Sequence, residues 1–368
     1  MSTEVKTNSD RTLKWSGTSL LLILAGCLGI AIFAFDWFTG RISDLRFTLS
    51  LPFWVCAVAA ALVGYWVVPL LRSLKAGQFI REDGPQAHLK KAGTPTMGGI
   101  FFIPVGVLGA IAWSGFHPSA IALSILTVGY GAIGWLDDWQ ILRRRSNKGI
   151  SPRMKLMLQT GLGVLFSLWL MATQPAELTQ VALPFGLSLP LGLLFWPLAV
   201  GVLVSESNAL NLTDGLDGLA GGTGAIALLG LAVIVAPTSP EVATFCACMS
   251  GSCLGFLVHN RNPATVFMGD TGSMALGGAV TGAALVTNTL WALLLVGGIF
   301  FVETLSVMAQ VSYYKATKGP DGVGKRLLKM APLHHHLELS GWSELRVVGT
   351  FYLIGGVLAL VSFGLGYL

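Results

Sequence analysis

Charge is scarce in this chain. Of 368 residues, only 11% are Asp, Glu, Lys or Arg, and 53% are hydrophobic. A soluble domain carries about 25% charged residues, so a water-soluble globule is excluded. Paired cysteines are missing too. Cys27, Cys56, Cys246, Cys248 and Cys253 all lie in apolar runs, and none forms a C-x-x-C pair. That leaves no zinc or redox motif and makes them small packing residues. No solenoid repeat and no low-complexity segment occurs.

What is present in quantity is long apolar runs. A helix needs roughly 20 mostly apolar residues to cross a bilayer. Candidate spans are 17–36, 51–71, 97–115, 119–136, 154–172, 190–207, 219–236, 242–259, 273–288, 290–312 and 346–367. The least secure boundary lies at the short turn near Asn288. The 46 glycines fit close helix packing in lipid. We expect an all-α polytopic bundle of ten to eleven transmembrane helices. Residues 1–16 form a polar tail, 17–50 an additional N-terminal helix with its outer loop, and 51–368 the main membrane domain. Leu24-Ala25-Gly26-Cys27 looks like a lipoprotein cleavage box, but the apolar run continues to Phe35, as a retained span does.

Basic residues orient the bundle, because cytoplasmic loops are enriched in Lys and Arg. Threading eleven spans from a cytoplasmic N-terminus puts all 23 Lys and Arg except Arg41 and Arg46 on the inner side. The polar motifs fall on that same side. A one-sided set suits an enzyme meeting a soluble substrate, whereas a transporter more often keeps ionisable groups near mid-membrane.

The densest motif is Asn208-Ala209-Leu210-Asn211-Leu212-Thr213-Asp214-Gly215-Leu216-Asp217-Gly218-Leu219-Ala220. A capped turn accounts for one or two of its polar residues, not the whole set. Asp137-Asp138 closes the run 119–136, where paired carboxylates oppose the helix dipole but suit magnesium or a general base. Phe267-Met268-Gly269-Asp270 opens the run from 273. Asp270 is either an N-cap or, beside Asn260 and the other inner-face aspartates, a metal or phosphate ligand. Pro332-Leu333-His334-His335-His336 lies in a basic loop, 313–345. Three consecutive histidines cannot all face one metal, so phosphate contact or proton transfer is the better reading. Lys90-Lys91 precedes Gly93-Thr94-Pro95-Thr96-Met97-Gly98-Gly99. Lys155 reads as a topological anchor or a phosphate ligand. Glu303 and Gln310 share one helical face in the run 290–312. His88, His117 and His259 stand alone and read as structural.

Together the blocks 93–99, Asp137-Asp138, 208–220, 267–270 and 331–336 resemble the phospho-N-acetylmuramoyl-pentapeptide transferase family, in order, from about residue 72 to the C-terminus. The 208–220 block is shared across the wider polyprenyl-phosphate N-acetylhexosamine-1-phosphate transferases. The Pro-Thr-Met-Gly-Gly and Pro-Leu-His-His-His blocks point to the muramoyl-pentapeptide branch. The resemblance implies a magnesium-dependent enzyme of the bacterial plasma membrane, with its active site cytoplasmic. It would move phospho-MurNAc-pentapeptide from UDP-MurNAc-pentapeptide to undecaprenyl phosphate, giving lipid I and UMP in peptidoglycan synthesis. By motif match Asp137 is the base, with Asp138 beside it; Asp270 is the magnesium ligand; and His334 is essential to turnover. Asn211, Asp214 and Asp217 belong to the nucleotide site, where Phe267 could stack on uracil, and Asn208 is a substrate-binding candidate. Lys91, Lys155, Asn260, Gln310, His335 and His336 are further substrate-binding candidates. The family also implies a homodimer. The nearest alternative is transfer of GlcNAc-1-phosphate to a polyprenyl phosphate, and the alternative from another class is a transporter.

Overall fold

The computed structural model describes residues 16–45, 47–74, 91, 93–144, 146 and 148–366. The tail 1–15, His88 and Lys90 lie outside the described residues. Thirteen α-helices, three short 3-10 helices and one two-stranded hairpin account for the regular structure among them.

The order begins with α1 (Gly17–Phe38), α2 (Ser50–Ser73), α3 (Gly99–Trp113), α4 (Pro118–Arg144) and α5 (Pro152–Thr173). The hairpin β1 (Gln180–Ala182) and β2 (Ser188–Pro190) follows, antiparallel with Val181 opposite Leu189. Then come α6 (Phe195–Thr213), α7 (Leu219–Val235), α8 (Pro240–Asn260) and α9 (Gly269–Val286). The chain closes with α10 (Leu290–Val296), α11 (Gly298–Ala316), α12 (Leu333–Leu339) and α13 (Glu344–Gly366).

Among the described residues, seven helices are long and apolar enough to cross a membrane: α1, α2, α4, α5, α6, α8 and α13. Counting α10 and α11 as one span bent by 73° makes eight. The chain is therefore a polytopic membrane bundle. α3 and α7 are shorter apolar helices of 15 and 17 residues.

Helices α7, α8 and α9 form the centre, buried almost all round, which suits a helix enclosed by other helices rather than by lipid. α2, α3 and α7 pack on α8, and α4 and α6 pack on α9. The outer faces of α1, α2, α5, α11 and α13 expose Leu, Ile, Val, Phe and Trp, the surface a bilayer requires. Gly134 lets α4 approach α9 closely, because a Cβ there would strike the Asp270 carbonyl.

Several expectations change in detail. The hairpin interrupts an otherwise all-α chain. Its far-side position is pinned by Asn288, which donates to the Gln180 carbonyl at 2.7 Å and accepts from the Ala182 N–H at 3.2 Å. The run 190–207 becomes helical only from Phe195 as an α-helix, and 290–312 breaks at Gly297. Asp137 and Asp138 do not end a helix: α4 continues to Arg144, where Arg143 and Arg144 complement the terminal dipole. The histidine run lies on the short helix α12, not in a loop.

α1 is tied to the bundle at both ends. Thr18 accepts from Arg261 Nε at 3.1 Å, at the end of α8. At the other end Asp36, fully buried, accepts the backbone N–H groups of Leu49 and Ser50 and so caps α2. Arg41 beyond it donates to the Ala236 carbonyl at 2.6 Å, at the end of α7.

Candidate active site

The ends of α4, α6 and α8 and the starts of α5, α7, α9 and α13 meet at one face of the bundle. There the chain places two polar clusters on either side of the turn 214–218.

The first cluster is acidic. Lys155 donates to Asp270 Oδ2 at 2.5 Å and lies 3.5 Å from Asn211 Oδ1. Asn211 donates to Asp270 Oδ1 at 2.7 Å and to Ser273 Oγ at 3.0 Å. Asp137 neighbours Asp270 and accepts the Ile150 N–H at 2.8 Å. Asp138 turns the other way. Its oxygens accept the N–H groups of Asp270 at 3.2 Å and Thr271 at 3.0 Å, and the Thr271 hydroxyl at 2.7 Å. It is the cap of α9, where the helix dipole favours a negative charge. Asp270, one of the readings of which was an N-cap, is instead the residue being capped.

Asp214, half-buried at the end of α6, faces this cluster. Burial, followed by the charges of Asp270 and Asp138, pushes its carboxyl up to about 8. A hydrogen bond from the Gly269 N–H opposes that rise. Asp270, Asp137 and Asp138 thus act on Lys155, with Asp214 in reach of Asp270 and Asp138, so carboxyls outnumber the one ammonium.

The second cluster is balanced differently. Lys91 donates to Asp217 Oδ1 at 2.7 Å and to Glu344 Oε1 at 2.6 Å. Asn262 donates to Asp217 Oδ2 at 3.1 Å and to Glu344 Oε2 at 2.9 Å. Glu344 also accepts the Asp217 N–H at 2.7 Å. Burial works against the Lys91 ammonium, but Glu344 and Asp217 outweigh it and raise its pKa. Asn260 sits beneath, accepting the Gly218 N–H at 3.0 Å and donating to the Val266 carbonyl at 2.9 Å. The segment 93–99 runs alongside: Phe267 donates to the Pro95 carbonyl, and Gly98 donates to the Phe267 carbonyl, both at 2.8 Å. The Phe267 ring stays half-buried at this edge.

Asp137, Asp138, Lys155, Asn211, Asp214 and Asp270 are therefore brought together, and Lys91, Asp217 and Asn260 form the neighbouring knot. Other candidates point elsewhere. Asn208 donates to Gln159 at 3.1 Å and to the Val204 carbonyl at 2.7 Å. Gln310 accepts the N–H groups of Leu327 and Leu328 at 3.0 and 2.8 Å, and so clamps the loop before α12. His335 pairs with Glu338, and His336 accepts the Lys329 N–H. His334 is fully buried and pairs with Glu303. His259 bonds to the Ala61 carbonyl at 2.8 Å and His117 accepts the Ser119 N–H, both structural.

Glu344 and Asn262 were not signalled by the sequence. An acid in the first turn of a helix complements the dipole, so Glu344 looks ordinary until Lys91 is seen beside it.

The polytopic bundle gathers carboxylates and lysines at one face, and residues 120–288 of this chain match glycosyl transferase family 4, a class of transferases. Residues 91–103 match the phospho-N-acetylmuramoyl-pentapeptide-transferase signature 1. The chain is 66% identical over 359 residues to the phospho-N-acetylmuramoyl-pentapeptide-transferase of a Nostoc species, covering 97% of each. The transferases of Trichormus variabilis, 66% identical over 97% of this chain and 98% of theirs, and Gloeothece citriformis, 61% identical over 97% and 98%, are similar. The chain belongs to the phospho-N-acetylmuramoyl-pentapeptide-transferase family.

Proposed function

We propose that the chain transfers phospho-MurNAc-pentapeptide from UDP-MurNAc-pentapeptide to undecaprenyl phosphate, forming lipid I and UMP at the cytoplasmic face of a bacterial plasma membrane. The observation that carries the reading is the acidic cluster around Lys155, set one turn of chain from the Lys91 knot at the mouth of a membrane bundle. One substrate arrives from water and the other from lipid, and both meet here.

Phosphoryl transfer needs positioning and charge stabilisation more than covalent help from the protein. Asp137 lies beside Asp270 and is the group we assign as base toward the lipid phosphate. Lys155 and Asn211 hold Asp270 in place. Asp138 acts through α9, fixing the helix start on which Asp270 sits. Asp217, Lys91 and Phe267 form the nucleotide side.

Magnesium fits this donor set. Hard carboxylate oxygens are its preferred ligands, and it commonly takes only one or two, keeping waters and phosphate. Among the described residues no group of three His, Cys, Asp or Glu is arranged to enclose a metal. Asp270, with Asp137 beside it, would hold the ion. Bound there, magnesium supplies positive charge to phosphate oxygens.

We further count α3, α7 and α9 as crossings, with α10 and α11 as one bent span. This gives eleven, the N-terminus on the active-site side and the C-terminus opposite. The family resemblance adds a homodimer.

The deciding experiment supplies purified protein with each labelled donor. Release of UMP from UDP-MurNAc-pentapeptide that requires undecaprenyl phosphate supports the reading. Labelled lipid formed from UDP-GlcNAc alone overturns it.

A further inference from the structure

Glu303 lies on α11, a membrane helix, and is fully buried. An acid there is costly unless partnered. Both its oxygens go to one residue: Oε1 accepts the His334 backbone N–H at 3.2 Å, and Oε2 lies 3.0 Å from His334 Nδ1. The carboxylate therefore grips the histidine by main chain and ring together. The opposite nitrogen, Nε2, is buried without any hydrogen-bond partner. It points at Gly215, where an added Cβ would collide with it. Gly215 directly follows Asp214, so the bare nitrogen faces the turn between the two clusters. His335 packs edge-on against the ring at 4.2 Å between centroids, blocking its rotation.

A buried nitrogen with no partner is expensive. Here its direction is fixed by three contacts, which a packing histidine does not need. An ionised carboxylate only accepts, so the Nδ1 facing it carries the hydrogen, and whenever the ring is neutral Nε2 keeps a lone pair. We propose that Glu303 is a positioning residue for the reaction: it locks His334 in the Nδ1–H tautomer and aims Nε2 past Gly215 to accept a hydrogen bond from a protonated phosphate monoester. A phosphate monoester, its second pKa being about 6, keeps its second proton in a fraction of molecules near neutral pH, whereas a pyrophosphate diester offers none. Two monoesters occur in the proposed reaction, the acceptor lipid phosphate and the UMP released. This inference rests on that reading of the function.

The test uses full-length protein in detergent with ¹⁵N-labelled histidine, the His334 signal assigned by its loss in His334→Gln. We expect an Nδ1–H tautomer in the wild type and the opposite tautomer in Glu303→Gln, whose amide NH₂ donates to Nδ1. UMP alone and a short-chain polyprenyl phosphate alone are then added. A shift of Nε2 with either one identifies the monoester, and no shift with both overturns the proposal. Turnover of Glu303→Gln should fall about 100-fold, within the usual range for acid–base groups, with an unchanged melting temperature. Glu303→Asp, one methylene short of the ring, should be equally slow despite its charge. Gly215→Ala should abolish the Nε2 shift independently. An Nε2–H tautomer in the wild type, or equal losses of melting temperature and turnover, would mark Glu303 as purely structural. A wild type that shows the tautomer and the shift but makes no lipid I would instead count against the proposed function alone.

Discussion

Adjacent aspartates face opposite ways here, and substitution should separate the base proposed at Asp137 from the cap formed by Asp138. Asp137→Asn leaves the cap of α9 intact, so its effect should fall on turnover, by roughly 10²–10⁴-fold for a general base, with nucleotide binding preserved. Equal losses of both would make Asp137 a ligand. Asp138→Ala removes the acceptor for two backbone N–H groups and a hydroxyl. Losing such a cap costs about 1–2 kcal/mol, readable as a lower melting temperature in detergent. Asp270→Asn should abolish magnesium-dependent turnover in a protein that still folds, and a near-normal rate at ordinary magnesium would refute its assignment. Asp214 adds a pH signature. Its folded pKa, about 8, lies above the ordinary carboxylate value of 3.8. The stability this contributes is complete below the ordinary value and is lost as pH rises through about 8. Metal-free protein should therefore melt lower at pH 9 than at pH 6, and Asp214→Asn should flatten that slope.

At the scale of elements, the sequence was most legible where lipid dictates it. Apolar runs of bilayer length marked the positions of α1, α2, α4, α5, α6, α8 and α13, because no other solvent tolerates such surfaces. It was least legible where a helix leaves the bilayer. The polar end of α4 reads as a loop by composition, yet water permits the helix to continue to Arg144. The bend at Gly297 and the 180–190 hairpin depend on contacts between distant segments, such as Asn288 with Gln180. The site was legible as residue types: Asp137, Asn211, Asp214 and Asp270 do converge. Partners were not, since Glu344 and Lys91 are 253 positions apart and meet only in space. The crossing of α4 and α9 allows a test at this scale. Gly134→Val would place its side chain into the Asp270 carbonyl. Overpacking of this kind costs typically 1–3 kcal/mol, and here it also displaces Asp270. Melting temperature and turnover should fall together, whereas Asp270→Asn should lower turnover alone.

For the whole molecule, the open issue is how the chain enters the membrane. α1 has 22 residues, about 33 Å at 1.5 Å per residue, enough to cross. Its two ends touch opposite faces of the bundle. Thr18 meets Arg261 beside the active site, and the segment beyond Asp36 reaches Ala236, at the end of α7 remote from the site. An amphipathic helix lying along one surface would make neither pair of contacts. It would also need a polar face, and between Leu20 and Phe35 this helix has none. Lys6, Arg11 and Lys14 precede it and Asp36 and Asp44 follow, the bias of a helix entering from the cytoplasm. Helix contacts and charge bias both support the proposed N-terminus at the active-site face. A single cysteine replacing Ser9, in a background without the five native cysteines, reads the result directly. A membrane-impermeant thiol reagent should label it only after the membrane is opened. Labelling in intact cells would put the N-terminus outside, and α1 would then have to lie along the outer surface, contrary to the contact between Thr18 and Arg261.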